Sequence, residues 1–310
     1  MEQLRSLAAE LKENGISLQY CMALPRYFMQ GLKYNNLTTI RVSGDGFMPK
    51  RWKYFLFVSQ FAYEMGIWPW SDVFKSHESG NMILSVLSAG AVGTGDSLGK
   101  ENKANIMLAC RQDGVLVKPD LPVMPFDQSY LQMARGEDKP VLGYTYTRHD
   151  GLTTGYVFAF AEEGMKGRSF AVDAGEIGIE GKAVAYDLQR DAVRVIEPGK
   201  YFEDQLPESR YASYIIAPVT QSGIAFLGDA GKIAATGKKR IASIVSSREG
   251  IKTTVLFAGE SSVTLRGYSE LPVKADRGTV HYNPSTRLFT LVLPAPAKGI
   301  RQTVSIAALR

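Results

Sequence analysis

Two hydrophobic periodicities divide this chain, and one polypeptide can satisfy both only by placing them in different layers. Up to Gly114, helical spacing of apolar residues alternates with short β-branched runs, whereas beyond about Val141 only short alternating runs remain. Repeated strand and helix units join parallel strands through right-handed crossovers, because the twist of a strand returns the helix over the sheet in that hand. Alternating runs bounded by turn residues instead give antiparallel strands with one buried face.

The first half reads as a helix followed by four strand and helix pairs. Leu4, Leu7, Ala8 and Leu11 share a helix face that Gly15 ends, and Ile16 to Met22 follows as a buried strand. Tyr27 to Leu32 is predicted as a short helix. Leu37 to Ser43, carrying β-branched Thr38, Thr39, Ile40 and Val42, is predicted as the second strand. A long helix starts near Pro49, a good first-turn residue, and runs through Trp52, Phe55, Val58, Phe61 and Ala62 to Gly66. Ile67 to Trp70 is a third, very short strand, Asn81 to Ala89 a helix, Ala91 to Gly95 a small-residue strand, and Glu101 to Gln112 a last helix. Val115 to Pro125, with its three prolines, is expected to leave that layer as a loop.

Eight such units close a barrel, and four leave two unpaired strand edges and an open interior. The expected fold class is therefore α/β plus all-β: the C-terminal half of a (β/α)8 TIM barrel over residues 1–126, a linker at 127–140, and an antiparallel β-sandwich over 141–310. The pattern begins inside the helix that would follow a fourth barrel strand, so the other half is expected from a longer chain or a partner. In the β region, Asp150-Gly151 between two alternating runs is a strong hairpin signal.

Chemistry in such a fold gathers at the C-terminal ends of the parallel strands. The stretch Leu37 to Asp45 ends a β-type run in a short polar tail, with Arg41 and Asp45 four residues apart and Gly44 and Gly46 freeing the backbone to turn. Asp72 closes the third strand, Asp96 the fourth and Cys21 the first, so all are expected near one rim. Trp70, and less readily Trp68, offers an aromatic surface to a ligand at that rim. Each has a plainer reading. Arg-x-x-x-Asp is more often a salt bridge than a catalytic unit, aspartates at strand ends often hold loops, and a cysteine there is usually a buried thiol.

The remaining composition narrows the field. Two cysteines and three scattered histidines predict neither a disulfide framework nor a metal site, and no cofactor is implied. No apolar run approaches a membrane span and the amphipathic opening lacks a signal h-region, so no membrane partner is expected and a cytoplasmic location is the default. The net charge of +5 is spread out except around Lys232 to Arg240, which has no aromatics beside it for stacking on nucleic acid. Gly90 to Gly99 lacks the Gly-Lys-Ser/Thr ending of a phosphate loop. Lys118-Pro119-Asp120 suggests only a turn.

The order of Tyr20-Cys21-Met22, Arg41-Val-Ser-Gly-Asp45, Trp68-Pro-Trp-Ser-Asp-Val-Phe74, Ser88-Ala-Gly-Ala-Val-Gly-Thr-Gly-Asp96-Ser-Leu-Gly-Lys100 and Arg111-Gln-Asp-Gly114 resembles the raffinose synthase and alkaline α-galactosidase group of glycoside hydrolases. The resemblance runs from about Gln19 to Asp127 and returns weakly at Ile215-Ile-Ala-Pro218 and Gly267-Tyr-Ser269. It implies a catalytic barrel followed by an antiparallel β domain, a carbohydrate substrate, Asp45 as general acid/base, and Arg41 reaching a sugar hydroxyl. Retaining glycosidases use two carboxyls about 5 to 5.5 Å apart. The family's nucleophile lies on the fourth barrel strand, so this chain is expected to be inactive alone. Plant members have Pro-Asp-Trp-Asp where this chain has Pro69-Trp-Ser-Asp72, one acidic contact fewer. A different class stays open: a non-catalytic carbohydrate-binding or structural β protein, using Tyr144, Tyr146 and Tyr156 as a row of stacking aromatics.

Overall fold

In the computed structural model, residues 2–22 and 24–309 are described, with side chains from residue 5 onward. The first third holds five helices, α1 (Glu2–Glu13), α2 (Pro25–Gly31), α3 (Trp52–Glu64), α4 (Ser79–Leu87) and α5 (Lys103–Ala109), interleaved with strands β1 (Leu18–Tyr20), β2 (Leu37–Arg41) and β3 (Trp68–Trp70). The three strands form one parallel sheet in the order β1-β2-β3. The small-residue run read as a fourth strand is reduced to a single parallel bridge between Phe74 and Thr94. Glycine-rich backbone lacks the side-chain packing that holds a ladder, which accounts for the difference.

The register of β2 against β3 sorts the two faces of this sheet. Ile40 lies opposite Pro69, and both are buried beneath the helices. Thr39 lies opposite Trp68 and Arg41 opposite Trp70, so these four side chains share the other face. There Trp68 keeps 38% of its surface exposed. Helix α3 follows a 3₁₀ turn at Pro49–Arg51 and buries Trp52, Phe55, Leu56, Ser59 and Ala62, while Phe61, expected in the core, stays exposed. On α1, Ala8 is buried but Leu7 is exposed, and the side chain of Leu4 lies outside the described ones.

The segment expected as a linker contains helix α6 (Asp127–Arg135), ended by Gly136 in the left-handed conformation. Ser129 fixes it to the sheet below, its hydroxyl donating to the Leu142 carbonyl and accepting from the Leu142 N–H. The proline-containing stretch before it contributes β4 (Met124–Pro125) to the same sheet.

Beyond α6 the chain is antiparallel: β5 (Val141–His149), β6 (Leu152–Phe160), β7 (Ser169–Val172), β8 (Ala183–Asp187), β9 (Ala192–Ile196), β10 (Phe202–Gln205), β11 (Tyr211–Pro218) and β12 (Ile224–Asp229). It ends with β13 (Ile241–Ser246), β14 (Ile251–Leu256), β15 (Ser262–Ser269), β16 (Val273–Ala275), β17 (Thr279–Asn283), β18 (Leu288–Pro294) and β19 (Arg301–Ala308). These strands do not form one sandwich over 141–310. A six-stranded sheet ordered β4-β5-β6-β11-β8-β9 comes first, with a β7/β10 ribbon, and two four-stranded sheets, β12-β15-β18-β17 and β13-β14-β19-β16, form a separate layer pair. Ile224, Phe226, Ile244, Val255, Leu265 and Val304 fill the space between that pair.

The six-stranded sheet is apolar on both faces because both are covered. Tyr156, Phe158 and Phe160 join the core beneath the helices, whereas Val157 and Ala159 pack with the ribbon. Trp52 meets Phe158, Phe160 and Tyr211 edge-on at centroid distances of 5.2, 5.6 and 5.6 Å, and its indole N–H donates to Asn81 Oδ1 at 2.7 Å. Asp150 and Gly151, at φ 44° and 78°, make the two-residue turn between β5 and β6.

Candidate active site at the strand ends

Arg41 is the last residue of β2, and its guanidinium organises the rim. It is 8% exposed, donates from Nη2 to Asp45 Oδ1 at 2.8 Å and from Nη1 to Asp72 Oδ2 at 3.1 Å. The structure brings Arg41, Asp45 and Asp72 together, with the two carboxylates on one guanidinium. Their surroundings differ sharply: the side chain of Asp45 is 81% exposed and that of Asp72 17%.

Asp72 is consumed by the local fold. Its Oδ2 also accepts from the Gly46 N–H at 2.8 Å, and its Oδ1 from the Val73 N–H at 2.9 Å. These bonds draw the 44–46 turn against the end of β3. Ser43 closes the same loop: its Oγ accepts from the Asp72 N–H at 2.7 Å and donates to the Gly44 carbonyl at 3.0 Å. Sequence reasoning gave Ser43 no role. Its signal was present, since it is the small hydroxyl residue inside a β-type run, buried where a larger side chain would hold the loop away.

Asp45 makes none of those backbone bonds among the described residues and is held through its Oδ1 by Arg41, its side chain otherwise exposed. Gly44 and Gly46 shape the turn, Gly46 at φ 66°, and the Arg51 side chain lies beside Gly44, so a Cβ there would meet Arg51 Nε at 3.2 Å.

Asp96 belongs to a different part of the rim. Both its carboxylate oxygens accept from the Ser76 N–H, at 3.2 and 3.0 Å, tying the glycine-rich segment to the loop that follows β3. Desolvation opposes its ionisation, but the Ser76 backbone and hydroxyl, Lys75 and Thr94 outweigh that and hold the carboxyl below its ordinary value. No described hydrogen bond or ion pair links Asp96 to Arg41, Asp45 or Asp72. Ser76 itself is fully buried, and its Oγ accepts from the Asn102 N–H at 2.6 Å.

Trp70 lies half-buried on the face it shares with Arg41, and its carbonyl accepts from the Val42 N–H at 2.9 Å. Trp68, one pleat away, rests against Tyr63 of α3 at 5.4 Å. Cys21 follows β1 and is exposed, not the buried thiol that is the usual reading. The buried cysteine is Cys110, whose thiol burial pushes up. Among the described residues no group of three or more His, Cys, Asp and Glu side chains is arranged to hold a metal ion, and no helix is long and apolar enough to cross a membrane.

The three tyrosines that could form a sugar-stacking row are divided. Tyr144 and Tyr146 stand on one face of β5, packed on Phe126 and under Arg148. Tyr156 points the other way, 1% exposed, its hydroxyl 2.8 Å from Thr236 Oγ1 and accepting from the Thr236 N–H at 3.0 Å.

No family model and no curated protein matches this chain. Among solved structures, the Arthrobacter globiformis T6 isomalto-dextranase complexed with panose aligns with a TM-score of 0.43 at 14% identity, over 94% of this chain and 59% of its own. A Bacillus halodurans C-125 protein assigned as an alpha-N-acetylgalactosaminidase aligns with a TM-score of 0.30 at 10% identity, over 45% of this chain and 31% of its own. Both neighbours carry the names of glycoside hydrolases, and this chain spans less than two thirds of the length of either.

Proposed function

We propose that this chain supplies the general acid/base side of a retaining glycoside hydrolase or transglycosylase acting on an α-galactoside or a related glycoside, with Asp45 as the acid/base. One observation carries the reading: a single exposed carboxylate is tethered to a buried guanidinium at the C-terminal end of a parallel strand, while a second carboxylate fixes that guanidinium and the turn. That division of labour suits a residue that must hand a proton on and off while staying in place. Trp70, on the face of Arg41, is positioned to line the sugar, with Asp96 and Cys21 as outer contacts of the same rim.

In this reading residues 1–126 are the second half of a TIM barrel and 141–310 the β region, joined through 127–140. The edge position of β1 in a sheet of only three parallel strands supports it, because such a sheet is ordinarily larger and covered on both sides. The attacking carboxylate then comes from barrel strands outside this sequence, in a longer chain or a partner. Hydrolysis and transfer differ only in whether water or a sugar hydroxyl resolves the covalent intermediate, and residues on this half serve both. The alternative, a carbohydrate-binding surface built on Tyr144, Tyr146 and Tyr156, loses support from their opposite orientations.

The test is aryl α-galactoside hydrolysis. The chain alone is expected to stay at background, and a version completed by the preceding barrel strands to be active, losing about 10²-fold or more in kcat on Asp45→Asn, the scale of general acid/base catalysis. Undiminished activity of the completed protein after that substitution would remove Asp45 from the mechanism.

A further inference from the structure

Two sequence features have no part in the rim chemistry: Lys118-Pro119-Asp120 and the basic run Lys232 to Arg240. The fold brings them together. Gly237 packs so closely on the stretch before Pro119 that a Cβ there would lie 2.7 Å from the Lys118 carbonyl and 2.8 Å from Val117 Cγ1. The basic run then splits by direction. Lys232 and Arg240 turn inward: Lys232 Nζ donates to the Met107 and Gly231 carbonyls, and Arg240, 1% exposed along its side chain, is held by Asp229 and Glu260. Lys238 and Lys239 turn outward.

A cleft of about 480 Å³ lies between them, lined by Leu116, Lys118, Pro119, Asp120, Lys238 and Lys239. Three of those six residues are cations and one is an anion. Asp120 is already engaged, accepting from Lys238 Nζ at 2.7 Å and from the Arg148 N–H at 3.0 Å. Lys118 has no acidic partner and no hydrogen bond from its ammonium among the described residues, although burial alone pushes its value below that of an ordinary lysine. An ammonium withdrawn from water without a counter-charge is destabilising, and a bound anion would remove that penalty. The turn holding Lys238 and Lys239 is braced from the other side, Arg111 Nη1 donating to the Lys239 carbonyl at 2.9 Å.

We propose that this cleft binds a tetrahedral oxyanion, phosphate or sulfate, either free or as an ester on a sugar. Its volume falls within the range of small-molecule sites and leaves room for the group that carries the anion. Arg41, Asp45 and Asp72 do not line it, so the proposal stands apart from the acid/base assignment.

Isothermal titration of the full chain at low ionic strength, where screening is weakest, tests this with inorganic phosphate, inorganic sulfate, a hexose 6-phosphate, a hexose 6-sulfate and the neutral hexose. Saturable one-site binding of at least one anion is expected, with none of the neutral sugar. Tighter binding of the esters than of the inorganic ions identifies a sugar-borne group; equal binding identifies the free anion. Lys118→Met is expected to weaken binding about tenfold or more while its melting temperature falls no lower than that of the parent. Lys239→Gln, at an exposed position, gives a second reading independent of folding and is expected to weaken binding as well. Absence of saturable binding by every anion, or binding unchanged in both variants, would overturn the proposal.

Discussion

The two carboxylates on Arg41 are predicted to divide between stability and chemistry, and substitution separates them. Asp72→Asn preserves shape, and its amide oxygen can still accept from the Gly46 N–H, but the shielded counter-charge of Arg41 is gone. Arg41 is only 7% exposed along its side chain, and its Nε already lacks a partner. Removing one member of a buried pair costs about 3 to 5 kcal/mol, because the other is left charged and desolvated. The 17% exposure of Asp72 places this case near the lower end, at about 3 kcal/mol. Asp45 also pairs with Arg41, at 2.8 Å, but through a side chain 81% exposed, so Asp45→Asn falls in the class of surface pairs and costs at most about 1 kcal/mol. A double-mutant cycle sharpens the test: in Arg41→Met with Asp72→Asn no buried charge remains unpaired, so the double variant is less destabilised than the two single costs summed, by about 2 kcal/mol. Urea unfolding followed by circular dichroism, with slopes compared across variants, measures all four corners. Equal costs for Asp45→Asn and Asp72→Asn, or strict additivity in the cycle, would refute the view that Asp72 anchors the guanidinium.

Gly90→Ala is predicted to lower stability by about 3 kcal/mol or more, since its Cβ would lie 1.7 Å from the Pro69 carbonyl of β3 and backbone would have to move. Gly99→Ala, at φ 76° with nothing within 4 Å, is the control and should cost only about 1 kcal/mol; similar losses on thermal melting would contradict the close-approach argument. The Glu260 carboxyl is predicted to matter in acid. Burial works against its ionisation, but Arg240 and the Ala258 N–H outweigh it and hold the carboxyl at about 2, against an ordinary 4.5. A folded value below the unfolded one means stabilisation that is complete above the unfolded value and lost as pH falls toward the folded one. Stability of the parent protein should therefore decline between pH 4.5 and 2 more steeply than that of Glu260→Gln. Asp229, raised by burial and in part by Glu260 itself, pulls the other way, and less so once Glu260 is replaced, so the difference is narrower than Glu260 alone would give; parallel profiles would disprove the assignment.

Local signals in the sequence were strong where a residue's own backbone preference decides the outcome. Asp-Gly specified the β5–β6 hairpin because both residues tolerate positive φ, and Pro49 with the spacing of Trp52, Phe55 and Ala62 specified α3. The Arg41 and Asp45 pair was legible for the same reason, being closed within one turn. Signals failed where distant packing decides. The stretch 127–135 reads as polar and linker-like, yet it folds as α6 because Ser129 and Phe126 seat it on β5. Ala91 to Gly95 has the small residues of a buried strand but too little side chain to hold a ladder. One sandwich was expected where there are a covered sheet and a separate layer pair, because burial on both faces of β6 leaves a continuous apolar run from which the second layer cannot be read. Asp72 was placed at the rim, but its commitment to the Gly46 and Val73 amides depends on a loop path that spacing alone does not specify.

The position of Arg41 ties the sheet to the chemistry. Its side chain stands on the same face as Thr39, Trp68 and Trp70 and is 8% exposed, and a guanidinium so shielded is tolerable only with fixed counter-charges. Two carboxylates of equal burial would lock it, and neither could change partner without leaving a buried charge behind. One shielded and one exposed carboxylate avoid this: Asp72 keeps the guanidinium paired from its shielded side, so Asp45, the exposed partner, can change partner while Arg41 stays paired. In the proposed reading, the unequal exposure of the two aspartates, more than the Arg-x-x-x-Asp spacing itself, is what suits this corner of the sheet to proton transfer.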